Sequence, residues 1–208
     1  MGKRLGQAHS LPGKCWSRWL KYFGQNAPRK YYYIMVLIEA LCCRVTQVCQ
    51  LKVEDFDMRG KRVWLKAFKR HRGVWKPLVP SIVKELKEWR AKEWKWPSHG
   101  YIFPSQRGST KGHISKDIVA RHVKKHGDTF LHKFGDTMPE LINGKNIRTH
   151  SGRRHAISEL AAAGIHQQVG MTWAQIDSAR VYQGYIDLDP AQVYSAIVKY
   201  DKRKKSRK

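Results

Sequence analysis

The sequence predicts a mostly helical α+β domain with one small antiparallel sheet. Apolar side chains recur at helical spacing through much of the chain, and polarity alternates in residues 62–67 and 73–79. The chain has 208 residues, of which 41% are hydrophobic and eight are Trp. This length and apolar content support one folded domain and exclude disorder as the overall state.

The first predicted elements are helices. Residues 12–23 carry Trp16 and Trp19 at helical spacing. Residues 30–43 are largely apolar, which favours a buried helix, and a short helix is expected over residues 45–51.

A β-hairpin is predicted next. Residues 62–67 and 73–79 alternate in polarity, and the residues between them are mainly basic, which is typical of strand, turn and strand. Pro77 cannot donate a hydrogen bond to a neighbouring strand, so the second strand is expected at the edge of the sheet.

The second half of the chain returns to helical spacing. Residues 127–146 are predicted to form an insertion or a long connection. Residues 1–10 are expected to be a loose basic arm. Residues 201–208 hold six Lys or Arg against one Asp and are expected to be a basic tail, which leaves residues 11–200 as the domain. Helices are predicted to begin at Pro80, to span residues 114–126 and 151–163, and to begin again at Asp189.

The charge balance points to a polyanionic partner. There are 41 Lys or Arg against 16 Asp or Glu, so the formal net charge is +25. The mutual repulsion of these charges argues against a small enzyme that acts on acidic substrates in free solution. It favours binding to the phosphate backbone of a nucleic acid, where basic side chains release condensed counterions.

Cysteine usage and hydropathy predict a soluble intracellular protein, cytoplasmic or associated with the nucleoid. The four Cys form no CxxC pair, so a disulfide scaffold or a zinc site is not expected. The longest apolar run, residues 31–43, is too short to span a bilayer and contains Glu39.

A cluster of functional residue types follows a defined order. His150 and Arg153 are three positions apart, so a helix presents an imidazole and a guanidinium on one face. A guanidinium can donate to two phosphate oxygens, and an imidazole can move a proton. For this four-residue pattern alone, a helix that only contacts a DNA backbone without catalysis is the favoured interpretation, because His-x-x-Arg is common by chance. The remaining candidates are Arg44 and Lys69 upstream and Trp173 and Tyr182 downstream.

The order Arg, Lys, His-x-x-Arg, Trp, Tyr resembles the catalytic domain of tyrosine recombinases, the phage integrase family. In that family an Arg ends a hydrophobic helix and is followed by L-x-x-x-D, a hydrophobic residue and an acidic one, as in LKVEDFD at residues 51–57. The resemblance covers residues 12–200 and implies a mostly helical catalytic domain with a small antiparallel sheet packed on helices. It further implies a site-specific recombinase or integrase that cuts and rejoins double-stranded DNA through a 3′-phosphotyrosyl intermediate.

The resemblance also implies a role for each candidate. Tyr182 would attack the phosphorus, Arg44 and Arg153 would stabilise the phosphate oxygens, and no metal or ATP would be needed. Trp173 would donate to the phosphate or pack behind it. His150 would take part in proton transfer, and Lys69 would protonate the departing 5′-oxygen.

Several alternatives stay open on the sequence. Tyr185 rivals Tyr182 as the nucleophile, although Tyr182 lies nine positions after Trp173 as the family spacing requires. Arg154 rivals Arg153, which alone completes the His-x-x-Arg spacing. Basic residues near the hairpin rival Lys69 and are expected to contact DNA. The predicted DNA contacts are Lys66, Arg70, Arg72, Arg154, Lys202, Arg203, Lys204 and Lys205.

The chain departs from the family pattern at three places. Cys42 and Cys43 stand before Arg44, where the family usually has Gly. Gln47 replaces an acidic residue, and the usual Leu-Gly-His is replaced in the segment that ends at Trp173. Only about forty residues precede Arg44, so no N-terminal core-binding domain is expected.

The resemblance implies a tetramer on paired DNA duplexes and a monomer or dimer free in solution. Type IB topoisomerase-like relaxation and a noncatalytic basic DNA-binding relic are the rival functions.

Overall fold

The computed structural model describes residues 11, 13–67, 71–93, 96–105, 112–138, 146–186, 193–194 and 197–198. These residues form a helical core with a three-stranded antiparallel sheet on one side. The predicted fold class is confirmed. The helices are α1 (Gly13–Asn26), α2 (Arg29–Ala40), α3 (Val45–Cys49), α4 (Pro80–Glu88), α5 (Lys116–Phe134), α6 (Thr149–Ala162), α7 (Gln167–Ala174) and α8 (Ala179–Gln183). The strands are β1 (Phe56–Asp57), β2 (Arg62–Leu65) and β3 (Val74–Pro77).

Helix α2 is the centre of the core. It packs against α1, α3, α5 and α6. Ile34, Met35 and Leu37 point in different directions around the helix, yet none of them is exposed to solvent. A helix that is apolar on all sides is stable only when other elements surround it, so the prediction of a buried helix from its composition is confirmed.

The sheet has the order β1-β2-β3, with both pairs antiparallel. Val63 on β2 faces Lys76 on β3, and Val63 and Leu65 point into the core. The edge position predicted from Pro77 is confirmed. Strand β1 was not predicted because it is only two residues long and has no period of its own.

The prediction for residues 127–146 is wrong in its first part, because α5 continues through Phe134. Gly127 and several polar residues obscure the helical period in the sequence. The glycine is needed by packing: a methyl group at Gly127 would lie 2.9 Å from Cβ of Ile147. Helices α7 and α8 were also not predicted, since each is short.

The predicted basic arm and basic tail lie outside the described residues. In the predicted helix that begins at Asp189, the four described residues are helical, and Val193, Tyr194 and Ile197 are exposed. Among the helices that the structure describes, none is long and apolar enough to cross a membrane.

A partly buried acid–base pair joins α2 to α6. The Nε2 atom of His155 lies 3.5 Å from a carboxylate oxygen of Glu39, and its Nδ1–H donates to the carbonyl of Leu11. The imidazole also stacks on Trp16. Burial raises the pKa of Glu39 from 4.5 to about 7 and lowers the pKa of His155 from 6.5 to about 4.

The two shifts have opposite effects on stability. The raised pKa of Glu39 means that the folded state binds more protons, so the contribution of Glu39 falls between pH 4.5 and 7. The lowered pKa of His155 means that the unfolded state binds more protons, so its contribution rises between pH 4 and 6.5. The pair therefore leaves stability nearly independent of pH where both groups titrate.

Replacing Glu39 should make the pH dependence of stability that comes from His155 measurable. We expect the stability of Glu39→Gln, relative to the unmodified protein, to rise by about 2 kcal/mol from pH 4.5 to 7, because only the unmodified protein has the Glu39 contribution that falls over this range. Urea unfolding at several pH values measures this difference. Parallel stability curves for the two proteins would contradict the assignment.

Candidate active site

Arg44 stands at the junction of α2 and α3. The chain leaves α2 through Cys42, whose φ of 46° lies in the left-handed region, and Arg44 then caps α3. The Gln47 side-chain oxygen accepts a hydrogen bond from the Arg44 backbone N–H at 3.2 Å. The guanidinium is half-buried, and burial and the positive charge of Arg153 lower its pKa.

The first two turns of α6 supply one imidazole and two guanidinium groups to the site. His150 is exposed, Arg154 is 7% exposed, and Arg153 has no exposed surface. Packing around the imidazole and the charges of Arg153, Arg44 and Arg154 lower the pKa of His150. Because an unperturbed imidazole titrates near pH 6.5, His150 is neutral at pH 7 and can accept a proton.

Both terminal nitrogens of the Arg153 guanidinium donate hydrogen bonds to backbone carbonyls. One terminal nitrogen donates to the carbonyl of Cys42 and the other to the carbonyl of Ala174, both at 2.7 Å. Its Nε has no hydrogen-bond partner among the described residues. Arg153 thus joins the end of α2 to the end of α7. The phosphate-clamp role predicted for Arg153 would require these two hydrogen bonds to break.

Tyr185 follows α8 and lies against these arginines. The guanidinium carbons of Arg153 and Arg154 are 5.3 and 5.2 Å from its ring centroid. Its phenol is also close enough to Arg44 to raise the pKa of that guanidinium. The structure therefore brings Arg44, Arg153 and Arg154 together with a tyrosine. This tyrosine is Tyr185, the alternative nucleophile that the sequence left open.

Tyr182 occupies a different environment. It is 1% exposed and belongs to a small apolar cluster with Cys42, Met171 and Ala174. Its hydroxyl lies directly over Gly170, where any side chain would collide with it. Burial raises the pKa of the phenol, which disfavours the phenolate. The geometry does not support the prediction that Tyr182 is the nucleophile.

Helix α7 ends at Gln175, whose φ of 52° lies in the left-handed region. The chain then continues through Ile176, which packs in the same apolar cluster as Tyr182.

Trp173 lies on the side of α7 that faces the sheet. Its ring is 4.8 Å from Nζ of Lys76, and it lines a cavity of about 320 Å³ with Trp75, Val169 and other residues of β3 and α7. The indole is half-buried there. This placement fits the packing role that was considered for Trp173.

The hairpin is fastened to the site at both ends. The Gln47 amide donates to the carbonyl of Lys66 at 3.4 Å and to the side-chain oxygen of Gln175 at 3.3 Å. The Gln175 amide in turn donates to the carbonyl of Arg72 at 3.4 Å, and His71 lies 3.5 Å from the Asp177 carboxylate. Gln47 replaces the family's acidic residue and still links three segments.

The predicted DNA contacts lie partly within and partly outside the described residues. Of the predicted DNA contacts, Lys66 is half-buried with Nζ 5.7 Å from the Tyr101 ring centroid, Arg72 is exposed, and Arg154 faces Tyr185. The residues that lie outside the described part of the chain are Lys69, Arg70, Lys202, Arg203, Lys204 and Lys205. Among the described residues, no group of three His, Cys, Asp or Glu could hold a metal ion.

Sequence reasoning missed Lys76, a buried cation next to the site. Its side chain is 2% exposed and donates to the carbonyls of Leu41 and Trp173. A signal was available, because the alternation of β3 places Lys76 on the same face as its inward-facing partner Val63.

The comparisons with known proteins identify the family. Residues 17–189 match the phage integrase family. The chain belongs to this family. No curated protein sequence matches the chain significantly.

Solved structures show the same fold at low sequence identity. XerA recombinase has a TM-score of 0.70 at 14% identity over 96% of this chain and 65% of its own. The Tn1549 transposon integrase, in complex with transposon right end DNA, has a TM-score of 0.67 at 11% identity over 96% of this chain and 68% of its own. XerH recombinase, in a post-cleavage complex with palindromic difH substrate, has a TM-score of 0.65 at 17% identity over 93% of this chain and 53% of its own.

The two adjacent arginines should respond differently to substitution. Arg153→Met leaves two buried carbonyls without donors, so we expect a loss of about 3 kcal/mol in the free energy of unfolding. Arg154→Met removes a cation that rests on Tyr185 and should lose less than about 1 kcal/mol. Urea unfolding of the two variants measures both values. Equal losses would contradict a structural role for Arg153.

Proposed function

We propose that this integrase-family protein is a site-specific DNA recombinase that cuts and rejoins DNA with Tyr185 as its nucleophile. The observation that carries the proposal is the position of Tyr185 against Arg153 and Arg154, with Arg44 and His150 in the same cationic cluster. A phosphodiester oxygen that develops negative charge in a transition state is stabilised by such a cluster.

The chemistry follows from these groups. The Tyr185 oxygen attacks phosphorus, its proton passes to the neutral imidazole of His150, and the bond to the 5′-oxygen breaks. The product is a 3′-phosphotyrosyl ester, which conserves the phosphoester bond so that a second 5′-hydroxyl can reverse the step. Lys69 is the proposed donor of a proton to the departing oxygen.

The three arginines have different proposed roles. Arg44 and Arg154 are the proposed ligands of the non-bridging phosphate oxygens, since both Arg153 terminal nitrogens already donate to carbonyls. Arg153 contributes its charge from beneath Tyr185. Arg44 and His150 both have lowered pKa values that come in part from neighbouring arginines, so an entering phosphate relieves this repulsion.

Double-stranded DNA is the proposed partner. The net charge of +25 supplies a sequence-independent attraction that weakens as salt rises. Two of the structural relatives are named as complexes with DNA. We further propose that four copies assemble on paired duplexes, that the free protein is a monomer or dimer, and that it acts on intracellular, nucleoid DNA.

Covalent trapping tests the nucleophile. A pool of nicked duplexes with a randomised core allows the short 3′ fragment to diffuse away after cleavage, so a protein–DNA adduct accumulates and resists denaturation. We expect adducts with the unmodified protein and with Tyr182→Phe, and at least a 1,000-fold loss with Tyr185→Phe, because phenylalanine has no oxygen to attack phosphorus.

Binding must be measured in the same variants. Tyr185→Phe should bind the same duplexes with a Kd within about threefold of the unmodified protein, since the ring and the arginines remain. Loss of the adduct only in Tyr182→Phe would overturn the assignment. Binding without an adduct from any duplex would support the noncatalytic relic, and relaxation of plasmids without a preferred site would support the topoisomerase.

A further inference from the structure

Lys76 is a buried lysine at the meeting point of three elements. Strand β3 directs its side chain into the core opposite Val63, and only 2% of the residue is exposed. Its ammonium donates to the carbonyl of Leu41 at 2.5 Å and to the carbonyl of Trp173. The Trp173 ring lies 4.8 Å away and adds a cation–π contact.

The partners of Lys76 are unusual for a buried cation. The groups that act on it electrostatically are the Cys42 and Cys43 thiols and the like charge of Arg153, and none of these is a carboxylate. Leu41 caps the end of α2 and Trp173 lies in the last turn of α7. Carbonyls at helix C-termini lack intrahelical donors and carry the negative end of the helix dipole, so they compensate the buried charge.

Arg153 repeats this arrangement one residue further along each helix end. Lys76 holds Leu41 and Trp173, while Arg153 holds Cys42 and Ala174. Two cations from different elements thus bind consecutive carbonyls of the same two helix ends. Arg44 lies two residues after Cys42. Tyr185 lies in the segment that follows Ala174.

We propose that Lys76 is a positioning residue for strand transfer, because it fastens the end of α7 to the end of α2 and so fixes Tyr185 relative to Arg44. The inference rests on the proposed function, in which these two side chains act on one phosphate. Lys76 itself does not touch the DNA in this account.

The fastening depends on the charge of Lys76. Burial lowers the pKa of its ammonium from 10.5 to about 8. Above that pH the neutral amine attracts the helix-end carbonyls less strongly, so the position of Tyr185 becomes less defined. Burial raises the pKa values of the Cys42 and Cys43 thiols beside it, so both thiols are neutral at pH 8. Positioning should therefore weaken above pH 8.

Single-turnover adduct formation at saturating DNA, measured from pH 6.5 to 9.5, tests the proposal. Lys76→Met replaces the ammonium with an apolar side chain of similar length. We expect its rate at pH 7 to fall at least tenfold with the Kd for DNA within threefold. We also expect the decline near pH 8 in the unmodified protein to disappear from its profile. Lys76→Arg should restore part of the rate and move the decline above pH 9.5, and Lys84→Met, which removes an exposed charge from α4, should match the unmodified protein.

A second measurement does not require catalysis. Amide hydrogen exchange at pH 7 should be at least tenfold faster in residues 171–186 of Lys76→Met than in Lys84→Met, with α5 unchanged. Unchanged exchange, or an unchanged rate and pH profile, would overturn the role of Lys76. Failure of the proposed function itself is distinguishable, because the unmodified protein would then form no adduct while the exchange comparison still decides the positioning.

Discussion

The junction between the ends of α2 and α7 is the contact on which the site depends. Four backbone carbonyls meet there, and Arg153 and Lys76 each bind one from either helix. Neither helix end could be buried against the other without a donor between them, because unpaired carbonyls in an apolar core are costly. The loop after α2 carries Arg44 and the segment after α7 carries Tyr185, so this junction determines how the two approach each other.

The same junction explains the electrostatics of the site. Arg153 is buried against Tyr185 and adds positive potential to the site, and burial together with neighbouring arginines lowers the pKa values of Arg44 and His150. The free site is consequently suited to an anion of more than one negative oxygen, which a phosphodiester in its transition state provides. In the proposed function, the general positive charge of the chain attracts DNA, whereas these few side chains act on one phosphate.

The sequence was sufficient for the fold class, the family, the buried α2 and the edge strand with Pro77. It was insufficient for assignments that require a choice between residues only one or a few positions apart. Arg153 and Arg154 differ by 100° around α6, and only the packing of that helix determines which one reaches the core. Tyr182 lies in an apolar cluster and Tyr185 lies against Arg153 and Arg154, and this difference in surroundings arises from tertiary packing. Such tertiary contacts leave no local pattern in the sequence.

Mapping the modified residue in a trapped adduct tests the central claim most directly. After nuclease trimming of the adduct and tryptic cleavage, one peptide, residues 181–199, contains Tyr182, Tyr185 and Tyr194. Tandem mass spectrometry then locates the remaining nucleotide among them. The account predicts that, among fragments counted from the N-terminus of the peptide, the mass of the nucleotide first appears in the fragment that includes Tyr185. A nucleotide on Tyr182 would contradict it, because the hydroxyl of Tyr182 would then have to leave the apolar cluster over Gly170 to reach the phosphate.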